Sequence, residues 1–205
     1  MANLIATCEG VNSDSGSFML RSPENKAARP AGRWNHNTEA SNLKKVLMSA
    51  CLLGKKVRYD GGSLSVNDRL IERWVSEGRV VSVCPEVEAG MSIPRQPAEI
   101  FKGSGNGVLD GEDDVVEKRG GIVTDDFISG ASIALELCNK FNIEIAILAE
   151  FSPSCGSSFI YDGSFSGNRI PGMGVTAALL RRHGIKVFSQ YEIANAHKAI
   201  HAASE

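Results

Sequence analysis

One design, used three times, limits what this chain can fold into. The run Ile143-Glu144-Ile145-Ala146-Ile147-Leu148 is short, apolar and rich in β-branched residues, and it soon meets the corner Ser152-Pro153-Ser154-Cys155-Gly156. Two earlier runs repeat it, Lys45-Val46-Leu47-Met48-Ser49-Ala50-Cys51 and Val80-Val81-Ser82-Val83-Cys84-Pro85-Glu86. Short apolar runs bounded by turn residues read as buried strands, so each cysteine stands at a carboxyl end. Ligands of open α/β sheets bind just outside those ends, and neighbouring strands lie about 4.8 Å apart. Cys51, Cys84 and Cys155 can therefore meet at one site although they are far apart in sequence.

The stretches between the runs fit the same plan. Strands are expected over 44–50, 79–84, 143–149 and 185–189. A helix over 66–77, capped by Ser65 with Asp68 three residues on, buries Leu70, Ile71, Trp74 and Val75 and stops at Gly78. A second opens at Thr124 and carries Phe127, Ile128, Ala131, Ala134, Leu135, Cys138 and Phe141 at helical spacing, which makes Cys138 a small buried hydrophobe. A third starts in Gly172-Met173-Gly174-Val175-Thr176 and ends at Arg181-Arg182-His183-Gly184, with His183 as a dipole-facing cap. The last spans 190–202, with His197 and His201 on an exposed face. The Gly-, Pro- and charge-rich segment 88–122 reads as a lid or binding loop with a small hairpin, and 157–167 as a two-segment turn. Parallel neighbours need crossovers, so the fold expected is α/β: a three-layer, mostly parallel sheet of about four to five strands with helices on both faces.

Residues 1–43 are polar and without sustained period, so they are expected to be a flexible N-terminal extension that carries Cys8, ahead of a single domain over 44–205. A net charge of −2, with no basic stripe interleaved with aromatics, gives no reason to expect a nucleic acid polymer. No segment approaches the roughly 20 apolar residues of a membrane span. With no export signal read at the start, the expected location is cytoplasmic. Five widely spread cysteines are an odd number, so a disulfide framework is disfavoured against metal or thiol chemistry. A thiol phosphatase is disfavoured too, because the residue six beyond Cys155 is Tyr161 rather than arginine.

Three thiolates select a soft metal site, either zinc or an iron-sulfur cluster. Structural zinc wants four closed ligands, and no fourth candidate stands at a strand end. An incomplete ligand set leaves one metal position open, which is a catalytic rather than an electron-relay arrangement.

Seven ordered motifs extend the reading: Ser49-Ala50-Cys51-Leu52-Leu53-Gly54, Arg58-Tyr59-Asp60-Gly61-Gly62, Cys84-Pro85-Glu86-Val87, Pro94-Arg95-Gln96-Pro97-Ala98-Glu99-Ile100, Ser152-Pro153-Ser154-Cys155-Gly156, Ile160-Tyr161-Asp162-Gly163 and Gly174-Val175-Thr176-Ala177-Ala178-Leu179-Leu180. Over about residues 44 to 190 the chain resembles the thiouracil desulfidase family. The resemblance implies a 4Fe-4S cluster held by Cys51, Cys84 and Cys155 with its fourth iron open, and catalytic parts for Glu86 and Ser152. It implies removal of sulfur from 2-thiouracil, giving uracil and hydrogen sulfide, with a small thiolated molecule as the partner. Arg58, Tyr59, Arg95 and Tyr161 are expected to contact substrate, with Asp60 and Asp162 nearby. One position departs: relatives commonly carry a basic residue just before Ser-Pro-Ser-Cys, and this chain has Phe151. The alternative reading is a non-catalytic iron-sulfur module that senses redox state or carries sulfide.

Overall fold

In chain order the elements are β1 (Val46–Ser49), α1 (Arg69–Ser76), β2 (Val80–Val83), α2 (Pro85–Glu88), β3 (Ala98–Ile100), α3 (Gly105–Asp110), β4 (Val115–Glu117), α4 (Thr124–Phe141), β5 (Ile145–Leu148), β6 (Phe159–Tyr161), β7 (Arg169–Pro171), α5 (Val175–Arg182), β8 (Lys186–Ser189) and α6 (Ile193–Ala202). They come from a computed structural model that describes residues 43–202. The expected extension, Cys8 included, lies outside the described residues, Leu43 excepted.

β2, β1, β5 and β8 form one sheet in that order, every pair parallel. β1 and β5 are central and buried at every position, which is why they read as continuous apolar runs rather than alternating ones. The chain moves from β1 to β2 in one direction and from β5 to β8 in the other. Right-handed crossovers then put α1 and α5 on opposite faces. α4 travels from β2 to β5 in the same sense as α5 and shares its face. The packing agrees, α1 against α6 and α4 against α5, so the expected three-layer α/β fold is the one observed.

Several local expectations change. α1 begins at Arg69, and its cap is Asp68, whose carboxylate accepts from the Leu70 N–H at 2.8 Å. A charged acceptor one residue from the first turn outcompetes the more distant Ser65 hydroxyl. Val75 is 51% exposed, because a helix of two turns offers the sheet only the stripe of Ile71 and Trp74. His197 is not on an exposed face: it is half-buried, its ring 5.9 Å from that of Trp74. His183 does cap α5, its Nδ1 lying 2.9 Å from the Leu179 carbonyl oxygen.

The segment 88–122 holds an antiparallel pair, β3 with β4, as the expected hairpin, but the connection contains α3. Gly105-Asn106-Gly107 has poor helix propensity, so sequence carries no sign of it. The glycine is there for packing, since a Cβ on Gly105 would stand 2.4 Å from the Gly174 carbonyl oxygen. The second segment of the 157–167 turn lies further on, where β7 pairs with β6. No helix among the described residues is long and apolar enough to cross a membrane.

Candidate active site

The sheet delivers all three cysteines to one edge. Cys51 lies in the 3-10 turn Ala50–Leu53 that follows β1, Cys84 is the N-cap of α2 directly after β2 with Pro85 opening the helix, and Cys155 sits in the loop after β5. Because the chain leaves β1 and β5 in opposite directions, a crevice opens between their carboxyl ends, the topological switch point of a parallel sheet. Cys51, Cys84, Cys155, Glu86 and Ser152 line one cavity of about 550 Å³ there.

The electrostatics of this group are unfavourable without a cation. Burial pushes the Cys155 thiol well above its ordinary pKa; the charges of Glu86, Cys51 and Cys84 push it further, against the Ser49 hydroxyl, which donates to the sulfur at 3.4 Å. Cys84 is pushed up to about 12, by burial first and by Glu86 second. Cys51 is raised by burial, with Arg58 pulling the other way. Buried thiols beside a carboxylate, one of them also raised by the other two, persist together as thiolates only around positive charge. Among the described residues no three His, Cys, Asp or Glu side chains converge as ligands of a single ion.

Glu86 is 8% exposed and held from two sides. Its Oε2 lies 3.4 Å from the Cys84 sulfur, and its Oε1 lies 3.6 Å from Nη2 of Arg95. Arg95 also donates to the Val57 carbonyl at 3.2 Å. Arg95 lines the cavity as well, facing Glu86 across that gap. Arg58, Tyr59 and Tyr161 line the same cavity. Asp60 instead pairs with Arg58 at 3.8 Å, and Asp162 accepts from the Ser164 N–H in an exposed turn. Cys138 lies in the apolar core on α4, 1% exposed, its thiol pushed up to about 12 by burial alone.

The loop that carries Cys155 is fixed by three devices. Ser152 Oγ accepts from the N–H groups of Ser154 and Cys155, both at 3.1 Å, closing the turn. The first N–H groups of α5, those of Val175, Thr176 and Ala177, donate to the carbonyls of Pro153 and Ser154 at 2.9–3.2 Å, so the helix start spends its orphan donors on the loop. Gly174 permits this approach, since a Cβ there would lie 2.4 Å from the Ser154 carbonyl oxygen. The third device is Glu150, 7% exposed, whose carboxylate accepts from the N–H groups of Ser157, Ser158 and Phe159 at 2.7–3.2 Å and from the Ser157 hydroxyl at 2.6 Å.

Sequence reasoning passed over Glu150. The sign was there, an acidic residue two beyond a strand that is buried throughout, where an ion persists only if hydrogen-bonded. Glu150→Ala is expected to lower unfolding free energy by about 3 kcal/mol, because it strands several buried donors at once. Denaturant titration of the iron-free protein measures this, and a loss under about 1 kcal/mol would mean that water replaces the carboxylate.

Comparison with known proteins bears on the same residues. The family model described as 2-thiouracil desulfurase matches residues 46–192. The uncharacterized protein YbbK of Bacillus subtilis (strain 168) is 44% identical over 148 residues, 72% of this chain and 97% of that protein. A solved structure described as the 4Fe-4S-dependent thiouracil desulfidase TudS superposes with a TM-score of 0.72 at 43% identity, over 78% of this chain and 99% of that one.

Proposed function

The chain belongs to the 2-thiouracil desulfurase family, and we propose that it removes sulfur from a thiolated nucleobase such as 2-thiouracil, giving uracil and hydrogen sulfide, with Cys51, Cys84 and Cys155 holding a 4Fe-4S cluster. The observation that carries the reading is the convergence of three cysteines from three strand ends on the cavity that also holds Glu86 and Ser152. The thiols of Cys51, Cys84 and Cys155 would supply three thiolate ligands to the cluster.

When bound, the cluster supplies a sulfur-seeking Lewis acid next to the thiocarbonyl. The net reaction needs no electron transfer. Water forms the new C–O bond, the C–S bond breaks, and both water protons leave with sulfur as hydrogen sulfide. Glu86 takes the first proton from the attacking water at a carboxylate oxygen, and Arg95 holds that carboxylate in place from Oε1. Ser152 Oγ already accepts two backbone N–H bonds. Its own hydrogen is therefore the part it can offer, as a donor to an acceptor atom of the substrate ring.

Anaerobic reconstitution followed by iron and sulfide counting and a sulfide-release assay tests the reading. The expected result is a brown protein with the 4Fe-4S complement named for the TudS structure, which converts 2-thiouracil to uracil with stoichiometric sulfide. A brown protein inert to thiolated bases would select the non-catalytic iron-sulfur module instead.

A further inference from the structure

The ribbon of β6 and β7 brings to the cavity a cation that the reaction above does not use. Tyr161 and Arg169 are paired in register, so both side chains leave the same side of the ribbon. β6 also runs beside Phe151 through the bridge of Phe151 to Ile160. The Arg169 guanidinium carbon stands 3.7 Å from the centroid of the Phe151 ring and 5.7 Å from that of Tyr161, and all three residues line the cavity. A guanidinium laid on a ring face keeps its N–H donors around its edge, free to bind.

The acidic groups of the cavity are already engaged. Glu86 faces Arg95, Glu150 serves the loop amides, and Glu99 accepts from the Phe165 N–H at 3.0 Å. Among the described residues no carboxylate pairs with Arg169. The backbone under it is strained: Phe151 has φ +69°, a conformation that costs a residue with a Cβ about 1 kcal/mol. Strain of this kind persists where the surroundings require it, often at ligand clamps. Here the turned ring is the floor on which the guanidinium rests.

We infer that Arg169, seated on Phe151, is the specificity-determining residue of this cavity and takes an anionic oxygen of the substrate, so that the chain prefers a thiolated base bearing a carboxylate or similar oxyanion to the neutral base. The inference rests on the reading that the substrate is a thiolated nucleobase. Its test needs no turnover, so failure of the desulfidation and failure of this assignment are separable.

Calorimetry on the reconstituted protein at low ionic strength compares uracil with orotate and uracil-5-carboxylate, oxygen counterparts of neutral and anionic thiolated bases. At least one carboxylate is expected to bind more than about tenfold tighter than uracil, the gain of a charge-assisted hydrogen bond. Added salt shrinks that margin. Arg169→Gln, an exposed replacement that keeps hydrogen-bonding capacity, brings the ligands within about threefold of each other. Arg169→Lys keeps part of the margin because the charge stays while the planar stack is lost, and Phe151→Leu lowers it by removing the floor. Equal binding of all three ligands to the unaltered protein, no binding of either carboxylate, or a preference that survives in Arg169→Gln each overturns the assignment.

Discussion

Exchanging Cys155 for serine is expected to yield a folded, colourless protein whose sulfide release from 2-thiouracil falls by more than about 100-fold, beyond what loss of a mere supporting partner costs a metal site. Cys155 is 4% exposed at the centre of a loop fixed by Ser152, Glu150 and the start of α5. Serine keeps the shape and finds Ser49 Oγ and Ser154 Oγ beside it, since both already lie within 4.0 Å of the sulfur. Stability of the iron-free protein should therefore change by only about 1 kcal/mol. A hydroxyl is a hard donor and a poor substitute for thiolate toward iron. Iron content per chain and visible absorbance after anaerobic reconstitution decide the matter. Cys138→Ala is the internal control: that side chain sits in the core on α4, and its loss should leave iron loading intact. Full loading of the Cys155 variant would remove this residue from the ligand set.

Glu86→Gln should separate cluster binding from turnover. Glutamine preserves the length and keeps an oxygen facing Arg95, so the loop and the iron content are expected to stay as they are. It cannot take a proton from water, and kcat should fall by about 10²- to 10⁴-fold with little change in KM. A second readout follows from the thiols. The charge of Glu86 raises the pKa of Cys84 and Cys155, so its removal lowers both and enlarges the thiolate fraction at a given pH. Alkylation of the more exposed Cys84 in iron-free protein should accordingly quicken in the variant. Unchanged kcat together with quicker alkylation would leave Glu86 a purely electrostatic neighbour of Cys84.

Much of the fold was legible because burial on both faces leaves a mark that needs no context. Val46–Ser49, apolar up to its last residue, and Ile145–Leu148 are buried throughout for the reason that layers cover them from both sides. α4 was legible too, with Phe127, Ala131, Ala134 and Cys138 turned inward at helical spacing. α3 was hidden, since glycines that permit close approach also weaken the helix signal. The cap of α1 moved from Ser65 to Asp68 because two candidate acceptors three residues apart compete, and chain geometry decides between them. Arg95 and Arg169 illustrate the same division at the site. Nothing local distinguishes one arginine from another, yet the first faces Glu86 and the second lies on an aromatic face.

The sequence by itself determined the layered α/β class, the three cysteines at strand ends and the family, since each is written in short contiguous patterns or in ordered motifs. Only the tertiary structure decided that those ends meet at the switch point between β1 and β5, that Glu150 locks the Cys155 loop, and that Arg169 reaches the cavity over Phe151. The physical reason is that strand order, and the partner each buried charge finds, depend on contacts between residues up to about a hundred positions apart. Those contacts exist only once the layers have packed.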